Sequence, residues 1–244
     1  MKLGVIGGSG LAGLQGLTDC AEQIVSTRCG MPSSSLHSGR LGNCEVVFLA
    51  RHGRPHSIAP HQVNYRANLL ALQSAGVEAI VAVNAVGGIS PVFATGMICL
   101  PLQIIDYTHG REHTFSDGSQ PLQHIDFSQP YSEPLRQRLL QAARQAGEAL
   151  HDGGVHGVSQ GPRLETAAEI RRMQQDGCDI VGMTGMPEAA LARELGMDYA
   201  CLAVVANPAA GLATVPITLA DIEQVMQAAG QRLNRILAAF CNRQ

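Results

Sequence analysis

Short apolar runs alternate along the chain with stretches whose apolar positions recur three and four apart. KLGVIG, EVVFLAR, AIVAVNAV, ICLPLQIIDYT, VHGVSQGP, DIVGMT and YACLAVVAN are rich in Val, Ile and Ala at successive positions, the pattern of strands covered on both faces. NYRANLLALQSAG, EPLRQRLLQAARQAGEAL, ETAAEIRRMQQDG, PEAALARELG and TLADIEQVMQAAGQRLNRILAAF carry the helical period and predict amphipathic helices. This alternation predicts an α/β fold: one domain over residues 1–244, with a central mixed, partly barrel-like sheet flanked by helices. The polar segment Thr108 to Tyr131 carries neither period and is expected to be a loop that packs on a neighbour or covers a site.

Ligands of such sheets sit at the carboxyl ends of the strands. Those ends here read GGSG, ARHGRPH, NAVGG, QGPRLET, GMTGMPE and VANPAAG, all short and rich in Gly, Pro and polar groups. The first contains GSGLAG, a match to the dinucleotide-binding string G-x-G-x-x-G. Such a site also needs a helix opening on the glycines and an acid about 20 residues on. Gly16 interrupts any helix, and Gly30, Met31, Pro32 and Ser33 stand where the acid is wanted. What remains is a strand delivering a glycine-lined turn with one hydroxyl, Ser9, either a cup for phosphate or a plain strand exit.

Composition narrows the function classes. Seventeen basic and twenty acidic side chains give a net charge of −3 with no basic run, which argues against a nucleic-acid or anionic-membrane partner. Seven cysteines form no C-x-x-C pair, and several lie in apolar stretches, as reduced thiols of a cytoplasmic protein do. The chain starts directly on a strand pattern and contains no apolar run of membrane-spanning length, so a soluble, unprocessed protein is expected.

ARHGRPH sets Arg51, His52, Arg54 and His56 on a turn after a strand. Gly53 and Pro55 exclude a helix there, so His52 and His56 share no helical face, and no Cys or acid joins them; no metal site is expected. Clustered guanidinium and imidazole groups suit an oxyanion such as phosphate, or else form a solvated basic turn. In MTGMPEAALARELG, Thr184 precedes a helix start, where its hydroxyl either meets an anion or caps the helix. Glu165 of QGPRLETAAEI stands at a similar junction, as a first-turn acid or as an acceptor for a ligand N–H.

GGSG, ARHGRPHSIAPHQVNYRAN, VNAVGGI, QGPRLET, VGMTGMPEAALARELG and AVVANPAAG follow one another in an order that resembles the trimeric purine nucleoside phosphorylase and methylthioadenosine phosphorylase family over nearly the whole chain. The resemblance implies phosphorolysis of a purine nucleoside, with inorganic phosphate as co-substrate and no metal or organic cofactor. It assigns phosphate binding to Ser9, Arg51, His52, Asn84, Ala85 and Thr184, with His56 nearby. Met183 is expected against the sugar, Leu164 beside the base, and Asn207 and Ala209 in contact with the base. Asn207 would serve catalysis as donor to the leaving purine, and His52 by anchoring the attacking phosphate. A homotrimer is implied, with His124 reaching a neighbouring site.

Two positions bear on the substrate. The adenine-cleaving branch of that family has aspartate where Asn207 stands and a small hydroxyl residue where Glu165 stands. A 6-oxopurine presents an exocyclic acceptor and a ring N–H donor, which an Asn207 donor and a Glu165 acceptor would match. At the sugar end, Leu219 stands where the inosine and guanosine enzymes have histidine, and an apolar residue suits a 5'-methylthio group or merely packs a helix start. Together these point to 5'-methylthioinosine. Inosine and guanosine, methylthioadenosine, and a nucleoside-binding protein without turnover stand as alternatives.

Overall fold

The computed structural model describes residues 1–8, 14–119, 121–213 and 218–242. Eleven strands form one mixed sheet: β1 (Lys2–Gly7), β2 (Thr18–Gln23), β3 (Leu36–Leu41), β4 (Cys44–Ala50), β5 (Ala79–Gly88), β6 (Ile98–Leu100), β7 (Gln103–Asp106), β8 (His151–Asp152), β9 (Val155–Val158), β10 (Ile180–Gly182) and β11 (Asp198–Pro208). Among the described residues five α-helices flank it: α1 (Tyr65–Ser74), α2 (Glu133–Gln145), α3 (Ala167–Gln175), α4 (Gly185–Glu194) and α5 (Leu219–Cys241).

β5 is the hub. Its first half pairs in parallel with β1, its whole length with β11, and its last two residues run antiparallel to β10. The sheet therefore branches, with β4, β3 and β2 continuing from β1, β9 and β7 from β10, and β6 and β8 from β11. Alternation along the buried strands divides the core. Val81 and Val83 of β5 and Leu202 and Val204 of β11 face α2 and α5, whose Leu139, Leu233 and Leu237 close that layer. Ile80 and Ala82, with Cys201 and Ala203, face the opposite layer, closed by Leu69 and Leu72 of α1 and Leu191 of α4. Each fully buried leucine contributes roughly 1.5–3 kcal/mol, so the two layers dominate the stability of the fold. A smaller group under α3 joins Ile170 and Met173 to Ile89, Val181 and Ala209.

All five helices follow the sequence pattern, and capping explains their starts. Thr166 and Thr218 each form a capping box, with Glu169 and Asp221 returning to the cap backbone. Glu165 thus precedes the cap of α3 rather than standing in its first turn, where Glu169 does. The run ICLPLQIIDYT divides at Pro101 into β6 and β7. β2, β3 and β8 have no counterpart among the predicted runs. No helix or strand occurs among the described residues of 108–131. After β1, described residues 14–17 turn into β2 rather than a helix, unlike a dinucleotide-binding unit.

Candidate active site

A cavity of about 430 Å³ opens at the carboxyl ends of β1, β4, β5, β10 and β11. Gly8, Arg51, His52, Ala85 and Thr184 line it, as do His56, Leu164, Glu165, Met183, Asn207 and Ala209. Residues from six separate segments of the chain therefore meet in one space. Ser9 lies outside the described residues, and Leu219 is described only as the first residue of α5, not in its side chain. One helical turn after Leu219, the apolar Ile222 lines the cavity.

Arg51 carries the β1–β4 pairing one step past the strands, its N–H donating to the Gly7 carbonyl at 2.9 Å. Its guanidinium is buried and its fork engages Glu188 of α4, Nε donating to Oε2 at 2.7 Å and Nη2 to Oε1 at 2.9 Å. Nη2 also donates to Asn84 Oδ1 and Nη1 to the Val83 carbonyl, each at 3.0 Å. Of five donor hydrogens, one on Nη1 is left without a partner among the described residues. The two-pronged face that sequence reasoning reserved for phosphate is thus occupied by a carboxylate. Burial opposes the charge, but the field and hydrogen bonds of Glu188 outweigh it and raise the guanidinium pKa. A Cβ at Gly8 would lie 2.8 Å from Nη1 and 2.9 Å from the Val83 oxygen, so this glycine brings the turn backbone against the guanidinium.

Asn84 does not line the cavity; it stands behind it as a strut. Its Oδ1 accepts from Arg51, and its Nδ2 donates to Thr184 Oγ1 at 3.2 Å. Thr184 occupies the cap position of α4, but its hydroxyl does not cap the helix. Accepting from Asn84 leaves the Thr184 O–H proton for the cavity.

His52 faces the Ile58 carbonyl through Nδ1 at 2.8 Å. A carbonyl only accepts, so Nδ1 carries the proton and donates, and Nε2 holds a lone pair. Burial, then the charge of Arg51, pull the His52 pKa down to about 4, while its ring stacks on His56 at 4.4 Å between centroids. The His56 pKa is lowered by the same two causes. With Arg51 neutralised by Glu188 and His52 uncharged near neutrality, this end of the cavity offers hydrogen-bonding groups more than net positive charge.

β11 carries an irregularity in its pairing with β5 between Val205 and Asn207. Such a bulge re-aims side chains. Asn207 beyond it donates one Nδ2 hydrogen to the Pro208 carbonyl at 2.6 Å, leaving the other. Glu165 Oε1 accepts from Ser159 Oγ at 2.5 Å. Buried Arg111, from the polar loop, donates to the carbonyls of Met183 at 2.8 Å, Met186 at 2.6 Å, Ser159 at 3.3 Å and Gln160 at 2.8 Å. It thereby ties the loop to the segment after β9 and to Met183 of the cavity lining.

Sequence reasoning missed Glu188, Ser159 and Arg111. Glu188 resembles any acid in a first helical turn, and Arg111 any charge in a polar loop; their roles come from burial. His109, His113 and Arg54 do not line the cavity, and His124 is exposed on the loop. Among the described residues no three His, Cys, Asp or Glu side chains are grouped to hold a metal ion.

Residues 2–242 match the Phosphorylase superfamily, and the chain belongs to it. A probable S-methyl-5'-thioinosine phosphorylase of Pseudomonas syringae pv. tomato is 58% identical over 224 residues, 91% of each chain. A 6-oxopurine nucleoside phosphorylase of Pyrococcus furiosus is 41% identical over 98% of this chain and 91% of its own. Among solved structures, methylthioadenosine phosphorylase from Schistosoma mansoni in complex with adenine is similar with a TM-score of 0.93 and 32% identity, over 98% of this chain and 90% of that one.

Proposed function

We propose that the protein is a pentosyltransferase that cleaves 5'-methylthioinosine with inorganic phosphate, releasing hypoxanthine and 5-methylthioribose 1-phosphate. The observation that carries this reading is that one cavity is lined both by Arg51, His52 and Thr184 and by Asn207 and Glu165. The first group suits an anion; the second suits a ring with an acceptor beside a donor.

In this reaction a phosphate oxygen bonds to the anomeric carbon as the bond to the purine nitrogen breaks, and the electron pair leaves with the purine. The transition state has an oxocarbenium-like sugar between two developing negative partners. Holding phosphate against the anomeric carbon supplies position and charge together. The donors for it are the spare Nη1 hydrogen of Arg51 and the Thr184 hydroxyl, while Nε2 of the neutral His52 accepts from a protonated phosphate oxygen. Ser9 and Ala85 belong to the same assignment. The spare Nδ2 hydrogen of Asn207 stabilises charge on the leaving base, and Glu165 accepts from its ring N–H. Met183 borders the sugar, and Leu164 and Ala209 the base. Phosphate is a co-substrate, and no metal or organic cofactor takes part.

The apolar Ile222 in the cavity lining, one helical turn after Leu219, is compatible with a methylthio group at the 5' position. The names of the relatives point the same way on the base and, for the Pseudomonas protein, on the sugar. The homotrimer is part of this proposal: Leu122 and Ile125, 66% and 38% exposed, flank His124 on the loop and would be covered by a second copy. A cytoplasmic location fits the seven free thiols, five of them buried. No helix among the described residues is long and apolar enough to cross a membrane.

The base assignment is tested by Asn207→Asp combined with Glu165→Ser. An unpaired buried group costs about 1–3 kcal/mol, so the pair of changes should shift the methylthioadenosine to methylthioinosine ratio of kcat/KM by at least about tenfold. An unchanged ratio in phosphate-dependent base release contradicts the assignment.

A further inference from the structure

Glu165 stands in a wall between two spaces. On one side is the active-site cavity; on the other is a polar cavity of about 670 Å³, also lined by Ser159, Gln160 and Arg163. A glutamate so placed has two directions to point. Into the first cavity it is an acceptor for a nucleobase; into the second it approaches the guanidinium of Arg163, whose pKa is raised mainly by its hydrogen bonds to Glu169 and in smaller part by the charge of Glu165. Nothing in the backbone of the exposed turn before α3 decides between them.

Ser159 does. It follows β9 and is buried and immobilised on its backbone: its N–H donates to the Gly182 carbonyl at 2.8 Å and its own carbonyl accepts from Arg111 Nη2 at 3.3 Å. A hydroxyl has one proton to give. Its candidates are Glu165 Oε1 at 2.5 Å and the Gly182 carbonyl at 3.5 Å, and the shorter, charge-assisted bond prevails. Ser159 itself does not line the active-site cavity. We propose that Ser159 is a positioning residue for base selection: its hydroxyl holds Glu165 by one oxygen and leaves the other oxygen for the ring N–H of a 6-oxopurine. This rests on the proposed reading of Glu165 as the base acceptor.

The test is a double-mutant cycle of Ser159→Ala and Glu165→Ala, each variant first shown to be folded by its thermal transition. Kinetics of methylthioinosine and methylthioadenosine cleavage are read with hypoxanthine binding by calorimetry. Loss of one charge-assisted hydrogen bond should lower kcat/KM for methylthioinosine and weaken hypoxanthine binding about tenfold in Ser159→Ala. KM for phosphate and cleavage of methylthioadenosine should stay within about twofold, and in the Glu165→Ala background Ser159→Ala should add nothing. An undiminished effect of Ser159→Ala in that background, or equal losses on both nucleosides, overturns the proposal. If Ser159→Ala does not fold, the isosteric Ser159→Cys, a weak donor, takes its place in the same cycle with the same criteria. A wild-type enzyme that does not prefer the 6-oxopurine overturns the underlying reading of Glu165, an outcome seen before any change at Ser159.

Discussion

The residue with the most consequence is one that carries no obvious chemistry. Glu188 is fully buried and receives Arg51 through two hydrogen bonds and the Tyr199 hydroxyl at 2.8 Å. It fixes the guanidinium in place and cancels its charge. Removing the carboxylate's charge while keeping its shape, by Glu188→Gln, leaves a buried guanidinium uncompensated, which typically costs about 3–5 kcal/mol. Urea denaturation should show that loss, and added phosphate should restore more stability to the variant than to the parent, because the anion resupplies the missing charge. An unchanged denaturation midpoint would show that the pair is not the electrostatic anchor described here. Arg51 and His52 were visible in the sequence as a basic turn after a strand, and Asn207 and Glu165 as polar residues at strand ends. Glu188 and Ser159 were not, because their significance is a matter of which side chain they meet across the sheet, and a single sequence does not record pairings.

At the scale of elements, legibility followed burial. The helices and the covered strands β1, β4, β5, β9, β10 and β11 could be read because burial on one or both faces forces a period. β2, TDCAEQ, is exposed at every position and so has no pattern to betray it, while β8 has two residues and is a strand only through its pairing with β6. The loop between β7 and α2 was legible as a loop, but not as something anchored. Arg111 anchors it, with six hydrogen bonds to Tyr65, Gln160 and four backbone carbonyls. Lysine has three rotatable donors on a single nitrogen and cannot span these acceptors. Arg111→Lys should therefore cost about 2–3 kcal/mol of stability and raise amide hydrogen exchange across residues 107–119. Exchange indistinguishable from the parent would mean the loop is held by its other contacts, such as the Glu194 carboxylate that accepts from Thr114 and Phe115 at 3.0 Å.

The molecule as a whole has two buried neutral histidines whose protonation opposes folding. Burial, followed by the charge of Arg51, pulls both His52 and His156 from an ordinary 6.5 to about 4. As pH falls below 6.5 the unfolded chain takes up these protons and the folded chain does not. Stability is therefore full above that value and declines towards pH 4, with a slope approaching about 1.4 kcal/mol per pH unit for each histidine. Carboxylates such as Glu169, whose pKa hydrogen bonds from Arg163 lower from 4.5 to about 2, add their loss as pH falls through 4.5 towards 2, so the decline between pH 6.5 and 5 belongs mainly to the histidines. The unfolding temperature should drop across that interval; a flat profile contradicts the assignment of two neutral histidines. The proposed reaction rests on one arrangement, strand ends of a single sheet that bring Arg51, His52, Thr184, Asn207 and Glu165 to one cavity. The most direct test of that arrangement is the rate of hypoxanthine release from 5'-methylthioinosine as inorganic phosphate is titrated into phosphate-free enzyme. A saturable rise from a negligible intercept, with one equivalent of 5-methylthioribose 1-phosphate per hypoxanthine, is the predicted result. Release at the full rate without phosphate, yielding the free sugar, would contradict it.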